Sequence, residues 1–290
     1  MKRENAFVVA FRKLLANKLA TVCFFVVLLE LLLVIAAPLF TSCDPNAVNV
    51  IERLRPGFWA KDTGRYLEGH WLGTDELGRD VWARILYGGR VSLMVGFVSM
   101  AIGITLGTVL GMLAGYYKRL DNIIMRFIDI LFTFPGVLLA LLIVAMLGVS
   151  TVNATIAISV WSVPSFARMI RGKVLQIKEE EYILAIRSLG AADFWILLRH
   201  VLVNAMPTII VIATMRIASS IMSIATLSYL GLGVPAPMAE WGGMISSAKT
   251  YMYDASYLII IPGIAVVITV ICFNILGDKL RDILDPSLKD

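Results

Sequence analysis

Long uncharged runs set the plan of the chain. Leu19 to Phe40 is apolar apart from Glu30, Val91 to Tyr117 carries no charge, Thr208 to Leu230 carries only Arg216, and Tyr257 to Leu276 carries none. A bilayer core takes roughly 20 helical residues, so each of these runs predicts one membrane-spanning helix. Residues 130–167 are uncharged for 38 positions, nearly enough for two crossings, with the turn expected near Gly148-Val149-Ser150. The pattern therefore predicts an all-α integral membrane protein with six spans. It divides into a tail 1–18, a first span 19–40, a polar loop 41–90, a five-helix core 91–277 interrupted by a polar island at 171–206, and a tail 278–290.

Several positions inside the runs break the apolar pattern. Glu30 lies near the middle of the first span, where an ionisable group must face the bundle, a partner or water. It reads equally as lining of a path or as a hydrogen-bonded group between helices. Arg216 admits two readings, snorkelling to the headgroups or a gate ion pair. Gly103, Gly107, Gly111 and Gly115 form a four-residue ladder of the kind that lets two membrane helices approach closely. Pro135 and Pro164 predict kinks. Arg126 and Asp129, three apart on one helical face, are placed to pair.

The island from Lys178 to Pro207 is the most informative stretch. Tyr182, Ala185, Ile186 and Leu189 share one side of a short helix, Gly190 ends it, and Asp193 is placed to cap a second helix that shows Phe194, Trp195, Leu198 and Leu202. Two short amphipathic helices between membrane spans form either a plain loop or a docking knob that fits a partner's groove.

Composition agrees with the membrane assignment: 59% of residues are hydrophobic, 16% charged, and mean hydropathy is +0.82. The net charge of +5 comes from basic residues dispersed between the runs, which argues against nucleic-acid binding. With the N-terminal tail inside, seventeen basic residues fall on the inner side and eight on the outer, so both termini and the island are expected to face the cytoplasm. Cys23 and Cys272 fall within apolar runs and Cys43 just beyond one, so no disulfide framework is implied. Phe40-Thr41-Ser42-Cys43 loosely mimics a lipoprotein cleavage site, but the preceding run is too long for a signal segment, and Cys43 is expected as a free thiol. No phosphate-binding Gly-x-x-x-x-Gly-Lys-Ser/Thr motif occurs, and His70 and His200 lie too far apart in sequence to suggest a metal site. Neither an enzyme centre nor a cofactor site is expected in this chain.

Five stretches resemble one family. Gly73-Thr74-Asp75-Glu76-Leu77-Gly78-Arg79-Asp80 is similar to the signature before the second span of binding-protein-dependent ABC importer permeases of the dipeptide, oligopeptide and nickel branch. Met125 to Pro135, Leu227 to Gly233, and Phe273 to Pro286 are similar to other segments of that family. The island resembles its "EAA" loop, with Ala185, Gly190 and Leu202 in register. Leu184, Ile186, His200 and Val203 stand where the general motif has Glu, Ala, Ile and Pro.

The resemblance implies the type I ABC-importer transmembrane domain, working as one of two different permease subunits in the bacterial or archaeal inner membrane. Two separate ATPase subunits would bind ATP and Mg²⁺, and an extracytoplasmic binding protein would deliver di- or oligopeptides. Nickel or metal chelates and glutathione-like ligands are alternatives, as are a stand-alone channel or ion-driven carrier and an intramembrane enzyme. The resemblance gives an ATPase-coupling role to Glu181, Tyr182, Ala185, Leu189, Gly190, Ala191, Phe194 and His200. Thr74, Asp75, Gly78, Arg79, Asp80, Arg126 and Asp129 are candidate structural or gate residues. Thr74 and Asp75 are expected as helix caps, and Arg79, Asp80 and Arg84 as an ion network. Glu30 and Arg216 are the candidate path residues.

Overall fold

The computed structural model describes residues 12–284, and its secondary structure is almost wholly helical. Helix α1 (Lys18–Ile35) is capped by the Asn17 side chain, which accepts from the Ala20 N–H at 3.1 Å, and a short helical turn (Ala37–Phe40) follows it. Two 3₁₀ turns, Val50–Glu52 and Phe58–Thr63, punctuate the loop to α2 (Val81–Tyr116). Then come α3 (Lys118–Thr133), α4 (Gly136–Leu147), α5 (Thr151–Lys178), α6 (Glu181–Ser188), α7 (Asp193–Tyr229), α8 (Trp241–Ala248) and α9 (Tyr257–Leu284). The one β-type pairing among the described residues is an isolated bridge between Thr74 and Asp80.

Helices α1, α2, α7 and α9 are long and apolar enough to cross a membrane. Helices α3 and α4 meet the same test together, bent by 91° at the Phe134-Pro135 break. A proline cannot donate to the preceding turn, so a break is expected there. Pro164, by contrast, stays within the continuous helix α5. The expected turn falls where Gly148 to Ser150 joins α4 to α5, and Ser150 caps α5 by accepting from the Asn153 N–H at 3.1 Å.

The glycine ladder sets the closest helix pair. A Cβ on Gly103 would strike Ser162, one on Gly107 would strike Phe166, one on Gly111 would lie 2.9 Å from Ile170 Cβ, and one on Gly115 2.7 Å from Val174 Cβ. Both series advance by four residues in the same direction, so α2 and α5 run parallel. Elsewhere Ile221 of α7 fits over Gly96 of α2, and Met215 of α7 over Gly277 of α9. Helix α1 packs on this group through Cys23, Val27 and Val34, in one cluster with Ile217, Phe273 and Leu276.

Of the polar exceptions, Glu30 follows one of its two readings, whereas the Arg126–Asp129 pairing fails. Glu30 accepts a hydrogen bond from the Thr269 hydroxyl of α9, so it pairs α1 with α9. Arg216 has no ion pair or side-chain hydrogen bond among the described residues, contrary to an ion pair within this chain. The expected Arg126–Asp129 pair does not form. Helix α5 lies beside α3 and offers better-placed cations: Arg168 contacts Asp129 at 2.7 Å, and Arg171 binds both oxygens of Asp121 at 2.6 and 2.7 Å.

Candidate functional site

The island forms a compact projection at the end of the bundle that carries Tyr116 and Lys178. Helix α6 ends in a glycine turn: the Gly190 N–H donates to Arg187 O at 3.0 Å and the Ala191 N–H to Ile186 O at 3.4 Å, with Gly190 at φ +85°. That paired bonding closes the orphan carbonyls of the helix and requires the left-handed backbone that glycine adopts without penalty. The expected second short helix is instead the start of α7, which runs unbroken to Tyr229 through a π turn at Leu197–Val201. From Leu202 onward the helix is α-helical, and Pro207 lies inside it.

One side of the projection is core. Ile183 is 1% exposed, and Ile196, Leu197 and Val201 are buried with Phe166, Ile170, Val174 and Met112 of α5 and α2. The other side is exposed and apolar: Leu189 is 87% exposed and Phe194 67%, with Tyr182, Leu184, Trp195 and Leu198 also open. Glu181 and Ala185 are exposed as well, while Ala191 and His200 are half-buried. The expectation that Tyr182 and Leu189 share one side with Ile186 fails in part, because Ile186 packs against the core.

Polar tethers hold this surface in place. The Tyr116 hydroxyl donates to Asp193 Oδ1 at 2.7 Å, Arg187 reaches the same oxygen at 3.3 Å, and Lys178 Nζ donates to Tyr116 O at 2.8 Å. Asp193 is therefore not the cap that its position suggested. Ala192 occupies the cap position, and the carboxylate is taken by Tyr116 and Arg187. Asn204 donates to the Tyr182 hydroxyl at 2.8 Å, and Trp195 meets the His200 ring edge-on at 4.8 Å. Burial, with Glu180 beside it, raises the Tyr182 phenol above its ordinary range. An apolar groove of about 410 Å³ opens between α2 and α7, lined by Thr108, Met112, Phe194, Leu198 and Met206 among others.

The opposite end of the bundle carries the Gly73–Asp80 stretch, folded as a clasp. Asp75 does not cap a helix. It accepts from the Leu77 and Arg79 N–H groups at 2.9 Å and pairs with Arg79 at 2.7 Å and Arg84 at 3.2 Å. Thr74 likewise caps nothing: its hydroxyl donates to Glu52 O and accepts from the Arg55 N–H at 3.0 Å. The cap of α2 is Asp80, whose Oδ1 accepts from the Ala83 N–H at 2.6 Å, while its Oδ2 lies 2.8 Å from His70 Nδ1. The expected Arg79–Asp80–Arg84 network is thus centred on Asp75, because Asp80 is occupied by the helix start. Gly78, at φ +75°, lies against Asn49 O so closely that a Cβ would collide with it. Glu240 is an unforeseen anchor: it is 1% exposed, accepts from Ser92 Oγ at 3.0 Å, and caps α8 through the Gly243 N–H at 2.8 Å. Its isolated position in a loop gave no periodic signal.

Residues 103–290 match the model of the "Binding-protein-dependent transport system inner membrane component" family, and residues 6–56 match the "N-terminal TM domain of oligopeptide transport permease C". The chain belongs to this family of transport permeases. Among permeases of this kind, the chain is 43% identical over 281 residues to the dipeptide transport system permease protein DppC of Alkalihalophilus pseudofirmus, covering 97% of this chain and 90% of the relative. It is 49% identical over 221 residues to the glutathione transport system permease protein GsiD of Pectobacterium atrosepticum, covering 76% and 73%. The solved MetNI methionine ABC transporter in an inward-facing conformation contains a chain that superposes with a TM-score of 0.58 at 21% identity, covering 69% of this permease and 95% of that chain. The fold is therefore that of a type I ABC-importer transmembrane subunit.

Proposed function

We propose that this permease is one of two membrane subunits of an ATP-driven importer, taking di- or oligopeptides from an extracytoplasmic binding protein. Two separate ATPase subunits supply the energy. The observation that carries the coupling part of this reading is the exposed apolar face of Leu189 and Phe194 on a projection tethered to α2, α5 and α7. A free loop would dissipate a push. A short helix locked to three others transmits it to the bundle, which can then alternate between two packings. Glu181, Tyr182, Ala185, Gly190, Ala191 and His200 complete or support that face.

Topology supports the same reading. Parallel α2 and α5 require the chain to return between them, and the bent pair α3–α4 is the segment available for that return. Counting α5 as a crossing as well gives the six expected, and the excess of basic residues on one side supports a cytoplasmic position for both termini and the projection. Peptide cargo is supported by the dipeptide permease as a relative over nearly the whole chain. The glutathione permease, at higher identity over a shorter stretch, favours a small peptidic thiol as the second reading.

The test is reconstitution of the permease with its sister subunit, ATPases and binding protein in vesicles. Leu189→Asp combined with Phe194→Asp is expected to leave the permease folded, to release the ATPase subunits on purification, and to abolish cargo-stimulated ATP hydrolysis. Retention of the ATPases and of stimulated hydrolysis in that variant would remove the coupling role. Uptake assays with dipeptides, oligopeptides and glutathione decide between the cargo readings.

A further inference from the structure

Between α1 and α2, three side chains separated widely in sequence converge. Cys43 follows the end of the first helix, His70 comes from the loop, and Asp80 caps α2. One ligand atom from each, the Cys43 thiol, a His70 ring nitrogen and an Asp80 carboxylate oxygen, lie within 4.8 Å of one another. Cys43 and His70 are half-buried while Asp80 is buried, so the cluster has a fixed floor and an open side. Glu52 Oε2 stands 3.9 Å from His70 Nε2 as a further oxygen donor.

We propose that Cys43, His70 and Asp80 form a binding site for a divalent transition metal ion, with Zn²⁺ the best match. A thiolate, an imidazole and a carboxylate are together a donor set that borderline-soft ions accept and that Ca²⁺ and Mg²⁺ do not favour. Bond lengths of about 2.0–2.3 Å place tetrahedral ligands roughly 3–4 Å apart, so the three side chains need to close by only about an ångström. The ion takes the place of the hydrogen bond between His70 and Asp80: the neutral imidazole keeps its one proton on the ring nitrogen that does not face the metal, and the proton of the Cys43 thiol leaves to solvent. Glu52 or a water completes the shell. Asp80 Oδ1 stays on the Ala83 N–H, so the cap of α2 survives binding and holds the carboxylate in position. The ion would link the exit of α1 to the start of α2 across the loop. The proposal does not depend on which cargo the permease carries.

The probe is Co²⁺, then Zn²⁺, added to the full-length purified permease after chelator treatment. One equivalent of Co²⁺ is expected to give tetrahedral visible bands and a near-ultraviolet thiolate charge-transfer band, both displaced by one equivalent of Zn²⁺. Cys43→Ser should abolish the charge-transfer band and weaken binding by at least tenfold, while leaving the metal-free melting temperature unchanged. Zn²⁺ should raise the melting temperature of the unaltered permease and not that of Cys43→Ser. A variant at Asn46, a neighbouring loop position outside the cluster, should bind as the parent does. Absence of a charge-transfer band, or a band that survives Cys43→Ser, would overturn the site and leave the His70–Asp80 pair as a purely structural clasp.

Discussion

The Tyr116 hydroxyl in the last turn of α2 donates to Asp193 in the first turn of α7 at 2.7 Å, joining a membrane helix to the base of the exposed projection. Tyr116→Phe removes that bond and keeps the ring, whose edge-on contact with Tyr117 at 5.1 Å remains. A loss of about 1 kcal/mol in stability is expected, together with weaker coupling of ATP hydrolysis to transport. Asp193→Asn keeps an acceptor for Tyr116 and loses the pair with Arg187, whose side chain is half exposed, so its effect should be smaller than that of Asp193→Ala. Thermal stability and cargo-stimulated ATPase activity of the three variants check this order.

Gly190 separates conformational strain from crowding. No atom lies within 4 Å of a Cβ built there, yet φ is +85°. Gly190→Asn should therefore cost little, since Asn tolerates the left-handed region. Gly190→Val should cost about 1–2 kcal/mol and shift the projection. Complex assembly with the ATPases, compared across Asn, Ala and Val, is the measurement.

The ladder is sensitive in the opposite way. Gly107→Ala puts a methyl group onto Phe166 and should destabilise by about 1–3 kcal/mol, because α2 cannot move away without disturbing Gly103, Gly111 and Gly115. Gly172, where a Cβ meets nothing within 4 Å, is the control: Gly172→Ala should be neutral or slightly stabilising. Survival of the monodisperse permease after heating distinguishes them.

Glu240→Ala should leave the Gly243 N–H and the Ser92 hydroxyl without their acceptor in a buried setting, at a cost of about 1–3 kcal/mol. Glu240→Gln keeps one carbonyl oxygen and should be the milder change. The ratio of folded to aggregated permease after detergent extraction reads this out.

The sequence exposed the membrane-spanning runs because a long uncharged stretch has few other fates, and it marked Gly190 because a helix interrupted by glycine between amphipathic segments implies a turn. It placed the ladder on a close helix contact for the same kind of local reason. Partners were harder to read. Asp129 sits three residues from Arg126 yet binds Arg168, and Asp193 looks like a cap yet binds Tyr116, because each choice depends on which helix end packs alongside. Glu240, Tyr257 and the Cys43–His70–Asp80 cluster depend on loops folding across long separations. The Tyr257 hydroxyl, for example, donates to Thr74 O at 2.8 Å, a contact no periodicity announces.

Four glycines without side chains let the α2 backbone settle directly onto Ser162, Phe166, Ile170 and Val174. To slip along α5, α2 would have to lift over each of those groups at once. The two helices consequently travel together as a plank, and any change of shape in the permease must be hinged outside it, where α7 and the bent α3–α4 segment meet its flanks.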